Sequence, residues 1–159
     1  MENKVWTPNP EFEHLYYIEV SCRPRYEVGP VAEGSLRLQP ICGGRFEGKR
    51  LRGVVLDDGC DWNTLRNDGV MECDTRYTLK TDDGAYIALK TVAYLVKDQE
   101  LRDQIVQEPQ EKTTRFYYRE HLYFHTGDPR YAWLNGAVAF GVCEVIDMNT
   151  ICYDAYILK

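Results

Sequence analysis

Residues 70–96 read VMECDTRYTLKTDDGAYIALKTVAYLV, and this stretch decides the fold class. It contains two long runs, Val70–Thr81 and Ala85–Val96, whose side chains alternate with the period of two expected of β-strands. Asp82-Asp83-Gly84 joins the runs, and its glycine provides the positive φ angle that a tight hairpin turn requires. The stretch therefore predicts a long antiparallel β-hairpin.

Shorter alternating runs predict further strands before and after this hairpin. They are Glu13–Arg23, Ser35–Pro40, Lys49–Leu56, Thr113–His125, Gly136–Ile146 and Thr150–Leu158. Between two of them, Cys60-Asp61-Trp62 is predicted to lie at a strand end and to continue into a polar loop up to Gly69. Since no segment has the 3.6-residue apolar spacing of a long helix, the sequence predicts an all-β domain.

Two architectures fit this strand pattern: a single closed antiparallel β-barrel of about eight strands, calycin-like in form, and a two-sheet β-sandwich. One face of the strand 70–81 helps to choose, because Glu72, Asp74 and Arg76 follow one another on it. A sandwich core has no use for three charged residues in a row. The lumen of a barrel that holds one small ligand would use them, and a solvated face is the alternative.

The chain is expected to form a tail and one folded domain. Residues 1–12, which include Pro8 and Pro10, are interpreted as an N-terminal tail, and residues 13–159 as a single β-barrel domain. Within the domain, residues 97–112 (KDQELRDQIVQEPQEK) are rich in charged and amide side chains. We expect this segment to be a charged surface excursion with at most one or two helical turns before Pro109.

Charge and composition exclude several classes of protein. A formal net charge of −6 argues against nucleic-acid binding, because a nucleic-acid partner requires a basic face. No run of eighteen apolar residues is present, so no membrane span is expected, and without a secretion-signal pattern a cytoplasmic location is expected. The six cysteines lack zinc-site spacing and are expected to be reduced structural thiols, although a disulfide between strands stays open.

The strand predicted over residues 113–125 has two unlike faces. Hydrogen-bonding groups occupy one face, namely Arg115, Tyr117, Arg119, His121, Tyr123 and His125, and the opposite, mostly apolar face carries Thr114, Phe116, Tyr118, Glu120, Leu122 and Phe124. Because histidine changes charge near neutral pH, His125 is a candidate general acid or base, with simple exposure as the alternative. His121 and His125 lie about 13 Å apart on a strand, too far to bind one metal ion directly, so no metal site is predicted.

Charged residues elsewhere suggest further candidates. Asp61 at a strand end can be an ordinary turn residue; in a partly apolar pocket beside Trp62, burial would instead raise the pKa of Asp61, as in many catalytic carboxyls. Asp74 and Arg76 share a strand face and would form an ion pair. If Arg76 is enclosed in a pocket, its guanidinium can bind a carboxylate, enolate or phenolate oxygen of a ligand.

Aromatic and amide groups after the turn at residues 126–130 are candidate ligand contacts. Trp133 and Asn135 share a face, so one can stack on a ligand while the other donates a hydrogen bond to it. The chain has no G-x-S-x-G elbow, no phosphate-binding loop and no dinucleotide fingerprint, and we therefore expect no cofactor.

Four stretches, taken together, resemble one known family. They are Ile41–Gly48 (ICGGRFEG), Gly59–Trp62 (GCDW), Asp74–Ala85 (DTRYTLKTDDGA) and Phe124–Asn135 (FHTGDPRYAWLN). In this order and spacing they resemble the family named domain of unknown function 3237, from about Gly29 to the C-terminus. The resemblance implies a compact β-barrel domain. The motif members with chemistry to offer are Asp61, Trp62, Arg76, Tyr131, Trp133 and Asn135.

The leading functional hypothesis is a cofactor-independent enzyme of the isomerase, cyclase or hydratase/dehydratase type. It would act by acid–base chemistry on a small organic, natural-product-like molecule inside the barrel. The predicted catalytic residues are Asp61, Arg76 and His125. The predicted substrate-binding residues are Trp62, Asp74, Tyr131, Trp133 and Asn135, and Tyr118, on the other strand face from His125, is a further candidate wall. The alternatives are a non-catalytic small-molecule-binding barrel and a homodimeric interaction protein.

Overall fold

A computed structural model describes residues 9–106 and 116–159 of the chain. Over these residues it contains ten β-strands and two short helices. The strands are β1 (Phe12–Cys22), β2 (Tyr26–Val31), β3 (Gly34–Glu47), β4 (Arg52–Val55), β5 (Gly59–Arg66), β6 (Val70–Thr81), β7 (Tyr86–Val96), β8 (Tyr117–His125), β9 (Ala139–Asp147) and β10 (Thr150–Leu158). The α-helix α1 is Gln99–Ile105, and a 3₁₀ helix covers Ala132–Gly136.

The strands close into an antiparallel barrel whose wall has eight positions. The order around the wall is β1, β10, β9, β8, β7, β6, then β4 and β5 sharing one position, then β3, which pairs again with β1. β4 pairs with residues 79–81 of β6, and β5 pairs with residues 71–76 of the same strand. β2 is an additional strand beside β3. The expected closed barrel is confirmed, and the sandwich alternative is excluded.

The alternation of side chains along each strand fills the barrel. On β6, Met71, Cys73, Tyr77 and Leu79 are buried, and the residues between them point outward. Tyr16 is fully buried, and its ring contacts the Phe46 ring with centroids 5.5 Å apart and the Phe124 ring at 6.4 Å. Aromatic rings of this size bury large apolar areas, so one part of the barrel is a packed core.

The charged face of β6 lies outside the barrel. Glu72 and Asp74 are partly exposed and Arg76 is exposed, while Arg76 Nη1 lies 3.7 Å from Asp74 Oδ1. The interpretation that places these residues in the lumen is therefore wrong, and the alternative of a solvated face is correct. The physical reason is that the intervening, less polar residues of β6 fill the interior.

The sequence does not predict β2 or β5. β2 contains Gly29 and Pro30, which are usual strand breakers, but an edge strand tolerates proline because one side of its backbone needs no partner. Residues 60–62 were predicted to lie at a strand end and the following residues up to Gly69 to form a polar loop, whereas residues 60–66 all belong to β5. The inward residues of β5 include Asp61 and Asn63, so it lacks the apolar alternation of an ordinary strand. The inward polar residues that make β5 hard to predict from sequence also provide hydrogen-bonding groups inside the barrel.

The two ends of the barrel differ. At one end, the turn between β6 and β7 meets the segment 126–136, where Leu134 is fully buried and the Tyr131 hydroxyl donates to Asp83 Oδ2 at 2.9 Å. At the other end, the first residues of β6 and the last residues of β7 help to surround an open hollow. Strands of eleven or twelve residues, tilted as barrel strands are, separate the two ends by about 30 Å.

The remaining predicted segments are described in part. α1 lies within residues 97–112, and Asp98 Oδ1 caps it by accepting from the Leu101 backbone N–H at 2.8 Å. Residues 107–112, the first residues of the strand predicted from Thr113, and residues 1–8 of the predicted tail lie outside the described residues. None of the described helices has the length and apolar character needed to cross a membrane. All six cysteines are free thiols.

Two adjacent glycines allow β3 to change partners. Gly43 and Gly44 have φ angles of +149° and +143°, which residues other than glycine rarely adopt. They differ in the space around them. A Cβ on Gly44 would lie 2.1 Å from the Glu19 carbonyl oxygen of β1, whereas a Cβ on Gly43 would meet only the Val55 carbonyl oxygen, at 3.9 Å.

Alanine substitutions at these two glycines test this account of the strand crossing. Gly44→Ala is expected to lower the free energy of unfolding by about 3 kcal/mol, because a backbone atom of β1 must move as well as the φ angle. Gly43→Ala carries only the conformational strain and is expected to cost about 1–2 kcal/mol. Urea denaturation measures both values. Equal losses would show that the close approach of β1 to Gly44 contributes nothing.

Candidate active site

Two carboxyl groups lie inside the barrel. Asp61 on β5 and Glu120 on β8 are each only 6% exposed, and among the described residues they are the only carboxyl side chains in the buried class. Both line one inner cavity of about 30 Å³. A cavity of that size has room for about two water molecules. A buried carboxyl is costly unless it is paired or protonated, so this pair requires a physical explanation.

Asp61 is held by polar neighbours on the adjacent strand and on its own. The Thr75 hydroxyl donates to Asp61 Oδ1 at 2.9 Å, and Asn63 Nδ2 lies 3.5 Å from Oδ2. Burial raises the pKa of Asp61 to about 6, and the hydrogen bonds from Thr75 and Asn63 offset part of that rise. Near neutral pH this carboxyl is therefore mostly ionised and is suited to accept a proton.

Glu120 is less well satisfied. Its Oε1 atom is buried and has no hydrogen-bond partner among the described groups. Burial raises the pKa of Glu120 to about 8, the charge of Asp61 adds to the rise, and hydrogen bonds with Cys143 and Thr91 offset part of it. Near neutral pH this carboxyl is therefore mostly protonated and is suited to donate a proton.

Two threonines, Thr75 and Thr91, lie along the wall between the two acids. Asp61 is the cross-strand partner of Thr75, and Thr75 is the partner of Thr91 on β7. Glu120 pairs with Ala93 on the same strand, two residues from Thr91. Since neighbouring strands lie about 4.8 Å apart, Thr75 and Thr91 occupy the space between the acids.

Four buried tyrosines complete the polar interior. The hydroxyl oxygens of Tyr77 and Tyr153 are 2.6 Å apart, and those of Tyr16 and Tyr153 are 3.3 Å apart. Burial raises the pKa of each of these phenols, and of Tyr118, well above its ordinary value. The four therefore remain protonated and can serve as hydrogen-bond donors.

A glycine on β9 makes room for the Glu120 side chain. Gly141 is the cross-strand partner of Glu120. A Cβ at position 141 would lie 2.3 Å from Glu120 Oε1 and 2.5 Å from its Cγ. The absence of a side chain at Gly141 therefore positions the carboxyl group within the barrel.

The open end of the barrel leads towards this cavity. A hollow of about 350 Å³, here called the mouth, lies at that end. Gln39, Tyr118 and Ile151 line both the mouth and the inner cavity, so they form the neck between the two spaces. The volume of the mouth falls within the range of small-molecule sites, which is about 300–1,000 Å³.

The residues predicted from sequence do not converge on one space. Asp61 is inside, but the next residue, Trp62, is 49% exposed and faces outward. Asp74 and Arg76 form their ion pair on the outer face. Strand alternation requires this result, because Asp74 is the cross-strand partner of Trp62, and directly paired residues point to the same side of a sheet.

His125 also lies outside. It is exposed on β8, as is His121, while Tyr118, Glu120, Leu122 and Phe124 on the same strand are buried. The expectation that His125 rather than Tyr118 faces the lumen is therefore wrong. The apolar face of β8 fills the barrel, and the polar face is solvated.

The three remaining candidates lie at the closed end. Tyr131 donates to Asp83, Trp133 stacks under the Arg50 guanidinium with 3.6 Å from Cζ to the ring, and Asn135 makes two hydrogen bonds with the backbone of Thr126, both within 2.9 Å. These contacts fasten the segment 126–136 to the barrel. Asp61 pairs with Thr75, midway along β6, so about half the length of that strand separates this group from Asp61.

Sequence reasoning missed Glu120 as a site residue, although a signal was present. Glu120 is the single charged residue on a strand face that otherwise carries Phe116, Tyr118, Leu122 and Phe124. A carboxyl at a core-facing position either has a charged or hydrogen-bonding partner or has a shifted pKa.

Among residues 9–106 and 116–159, no three His, Cys, Asp or Glu side chains come together as metal ligands would.

Comparisons with known proteins agree with this architecture. The model of a family described as "Protein of unknown function (DUF3237)" matches residues 10–158. A UPF0311 protein of Rhodopseudomonas palustris (strain ATCC BAA-98 / CGA009) is 29% identical over 128 residues, which cover 80% of this chain and 84% of that protein.

Two solved structures share the fold. A β-barrel-like protein from Acinetobacter baumannii AYE is 37% identical, with a TM-score of 0.85 over 98% of this chain and 100% of that chain. An enzyme from Penicillium herquei is 21% identical, with a TM-score of 0.73 over 99% of this chain and 100% of that chain. The second likeness shows the fold alone.

The raised pKa of Glu120 predicts a pH-dependent stability. Glu120 in the unfolded chain ionises above its ordinary pKa of 4.5, whereas in the folded protein it keeps its proton up to a pKa of about 8. The stability associated with this proton is present below pH 4.5 and is lost as the pH rises to 8, by about 1.4 kcal/mol for each unit of pKa difference. Glu120→Gln is expected to flatten the fall in unfolding free energy between pH 6 and pH 8.

Urea denaturation at several pH values measures this slope. Glu144→Gln is the matched control, because Glu144 is exposed on β9, and it should leave the slope unchanged. An unaltered slope in Glu120→Gln would show that Glu120 ionises in the folded protein as it does in water.

Proposed function

The chain belongs to the DUF3237 family, and from the site inside its barrel we propose that it is a cofactor-independent enzyme. It catalyses an isomerisation, a cyclisation, or an addition or loss of water on a small organic, natural-product-like molecule. The reacting part of the substrate lies at the inner cavity, and the rest of the molecule occupies the mouth.

One observation supports this proposal most strongly: two carboxyls that line one cavity have pKa values driven apart by their surroundings. The pKa is raised to about 6 for Asp61 and to about 8 for Glu120. A pair of titratable groups with separated pKa values divides the roles of base and acid between its members. Asp61 is the general base, and Glu120 is the general acid.

The proton balance of these reactions needs only the two carboxyls. In an isomerisation or cyclisation, Asp61 takes a proton from a C–H or O–H bond, and Glu120 gives a proton to a different atom of the substrate. In a hydration, the proton lost to Asp61 comes from the attacking water. Each cycle leaves Asp61 protonated and Glu120 ionised, and one proton transfer between them, through water or the two threonine hydroxyls, restores both groups.

The tyrosines supply hydrogen bonds to developing negative charge. Tyr118 lines both the neck and the inner cavity, and its phenol stays protonated because burial raises its pKa. A positioned neutral donor of this kind stabilises an enolate or phenolate oxygen as it forms. This role was expected for Arg76, which lies instead on the outer face.

The fold of a relative is consistent with catalysis. The protein from Penicillium herquei that shares this barrel fold is an enzyme, so a barrel of this kind can support a reaction. At 21% identity its reaction and its residues are not transferred to this chain.

A non-catalytic carrier is the second candidate function. The observation that favours it is the apolar part of the mouth, where Met71, Leu95, Val145 and Ile151 contribute to the lining. A carrier would use the mouth for binding and would leave the buried carboxyls without a chemical role.

Exchange of substrate hydrogens with solvent tests the proposed reaction. Incubation in D₂O with a set of small aromatic and terpenoid-like enols, ketones and alkenes should give enzyme-dependent deuterium incorporation or product formation, detected by NMR and mass spectrometry. Asp61→Asn and Glu120→Gln are each expected to lower the rate by about 10²–10⁴-fold, the usual contribution of one acid–base group. Glu144→Gln, on the outer face, is the matched control.

The outcomes separate the candidate functions. Turnover that survives both substitutions would contradict the proposal, as would turnover that is lost in His125→Ala but kept in Asp61→Asn. Binding at the mouth without any exchange or product across the set would favour the carrier.

A further inference from the structure

The mouth of the barrel combines apolar walls with basic side chains. Arg25, Arg37 and Lys97 line it, and Asp147 is the one acidic residue among the described lining residues. A local excess of positive charge is notable in a protein whose net charge is −6. Basic groups at the edge of an apolar hollow favour a ligand that carries a negative charge on an apolar body.

Arg37 is the basic residue with an unused donor. Its side chain is 21% exposed, and its Nε atom is buried without a hydrogen-bond partner among the described groups. Glu27 Oε2 forms an ion pair with Nε at 3.4 Å, but this contact does not have the geometry of a hydrogen bond. A buried donor atom without a hydrogen-bond partner is unfavourable, and an acceptor oxygen supplied by a ligand would satisfy the Arg37 Nε atom.

The nearby carboxylates are partly engaged elsewhere. Glu27 Oε1 accepts from Arg25 Nε at 2.9 Å, and Asp147 Oδ1 accepts from the Asn149 backbone N–H at 2.7 Å within the turn between β9 and β10. Lys97 lies with its Nζ 5.3 Å from the centre of the Phe116 ring. Arg25 and Arg37 therefore share the single carboxylate of Glu27, so positive charge is left in excess on this side of the mouth.

The register of β3 and β5 places Arg37 in line with the proposed acid–base pair. Arg37 pairs with Asn63, and Gln39 pairs with Asp61. Arg37 therefore lies two residues, about 7 Å, farther towards the mouth than Asp61 on the same inner face. A group bound to Arg37 would hold the opposite end of a one- or two-ring molecule near the neck.

From this geometry we propose that the ligand of the mouth is an apolar, aromatic-bodied carboxylic acid whose carboxylate is bound by Arg37. The planar guanidinium matches a carboxylate in two parallel hydrogen bonds. The apolar walls receive the ring system. The position of the reacting end rests on the proposed function, whereas the capture of the carboxylate does not.

Isothermal titration calorimetry with three probes of the same shape tests this proposal. The probes are 2-naphthoate, its methyl ester and 2-naphthylmethylammonium. The wild-type protein is expected to bind 2-naphthoate at least about 10-fold more tightly than the ester, because one charge-assisted hydrogen-bonded pair contributes about that much affinity. It is expected to bind the ammonium probe most weakly. Arg37→Gln is expected to remove the preference for naphthoate over the ester, and Arg37→Lys to restore part of it.

Two controls make the result specific. Arg45→Gln removes an arginine of the same strand whose side chain is 74% exposed, and it should leave naphthoate binding unchanged. Circular dichroism and melting temperature verify that each variant is folded. Asp61→Asn should still bind naphthoate, so a failure of the acid–base mechanism and a failure of carboxylate recognition give different results.

The proposal is overturned by any of three results: no naphthoate binding at millimolar concentration, equal affinity for naphthoate and its ester, or an unchanged preference in a folded Arg37→Gln variant.

Discussion

The desolvation of two carboxyl groups inside one closed barrel is the constraint on which the site depends. Water would stabilise the charge of Asp61 and Glu120, and the barrel excludes most of it, since each residue is only 6% exposed. Asp61 receives hydrogen bonds from Thr75 and Asn63 in place of water. Glu120 keeps a proton instead, because burial disfavours its charge and, among the described residues, one of its oxygens has no hydrogen-bond partner. One enclosure thus produces an ionised and a neutral carboxyl near pH 7.

The two ends of the barrel have different roles: one is closed by packing contacts, and the other opens into a hollow. The closed end carries Tyr131, Trp133 and Asn135, whose contacts with Asp83, Arg50 and Thr126 fasten a connecting segment to the wall. The open end carries the mouth and the neck that leads to the inner cavity. A wall of paired strands between them fixes the positions of Asp61 and Glu120, as the proposed acid–base reaction requires.

Much of the fold could be predicted from the sequence, because period-two alternation and hairpin turns are local signals. The hairpin formed by β6 and β7 is the clearest case. β5 could not be predicted from its periodicity, since its inward side chains include Asp61 and Asn63 and it therefore lacks the apolar–polar alternation of a strand. The closure of the barrel depends on pairings between distant strands, such as β1 with β3, that no local pattern contains.

The site was predicted less well, for a specific physical reason. Alternation divides a strand into two faces without saying which face is inside. On β6 and β8 the more polar face was assigned to the lumen, and this placed Arg76 and His125 there; both lie outside because the apolar faces fill the core. Asp61 had two possible roles from sequence, an ordinary turn residue or a carboxyl with a raised pKa, and its place inside the barrel is compatible with the second. Glu120 was overlooked because its neighbours made its face resemble ordinary core.

A site-specific carboxyl titration would show directly whether the barrel holds one ionised and one protonated carboxyl. ¹³C NMR of the Asp61 and Glu120 carboxyl carbons, assigned with Asp61→Asn and Glu120→Gln, reports the protonation of each group as the pH changes. We expect midpoints of about 6 for Asp61 and about 8 for Glu120, with the midpoint of Glu120 falling in Asp61→Asn because a negative charge has been removed. Two midpoints near 4, unaffected by either substitution, would contradict this expectation.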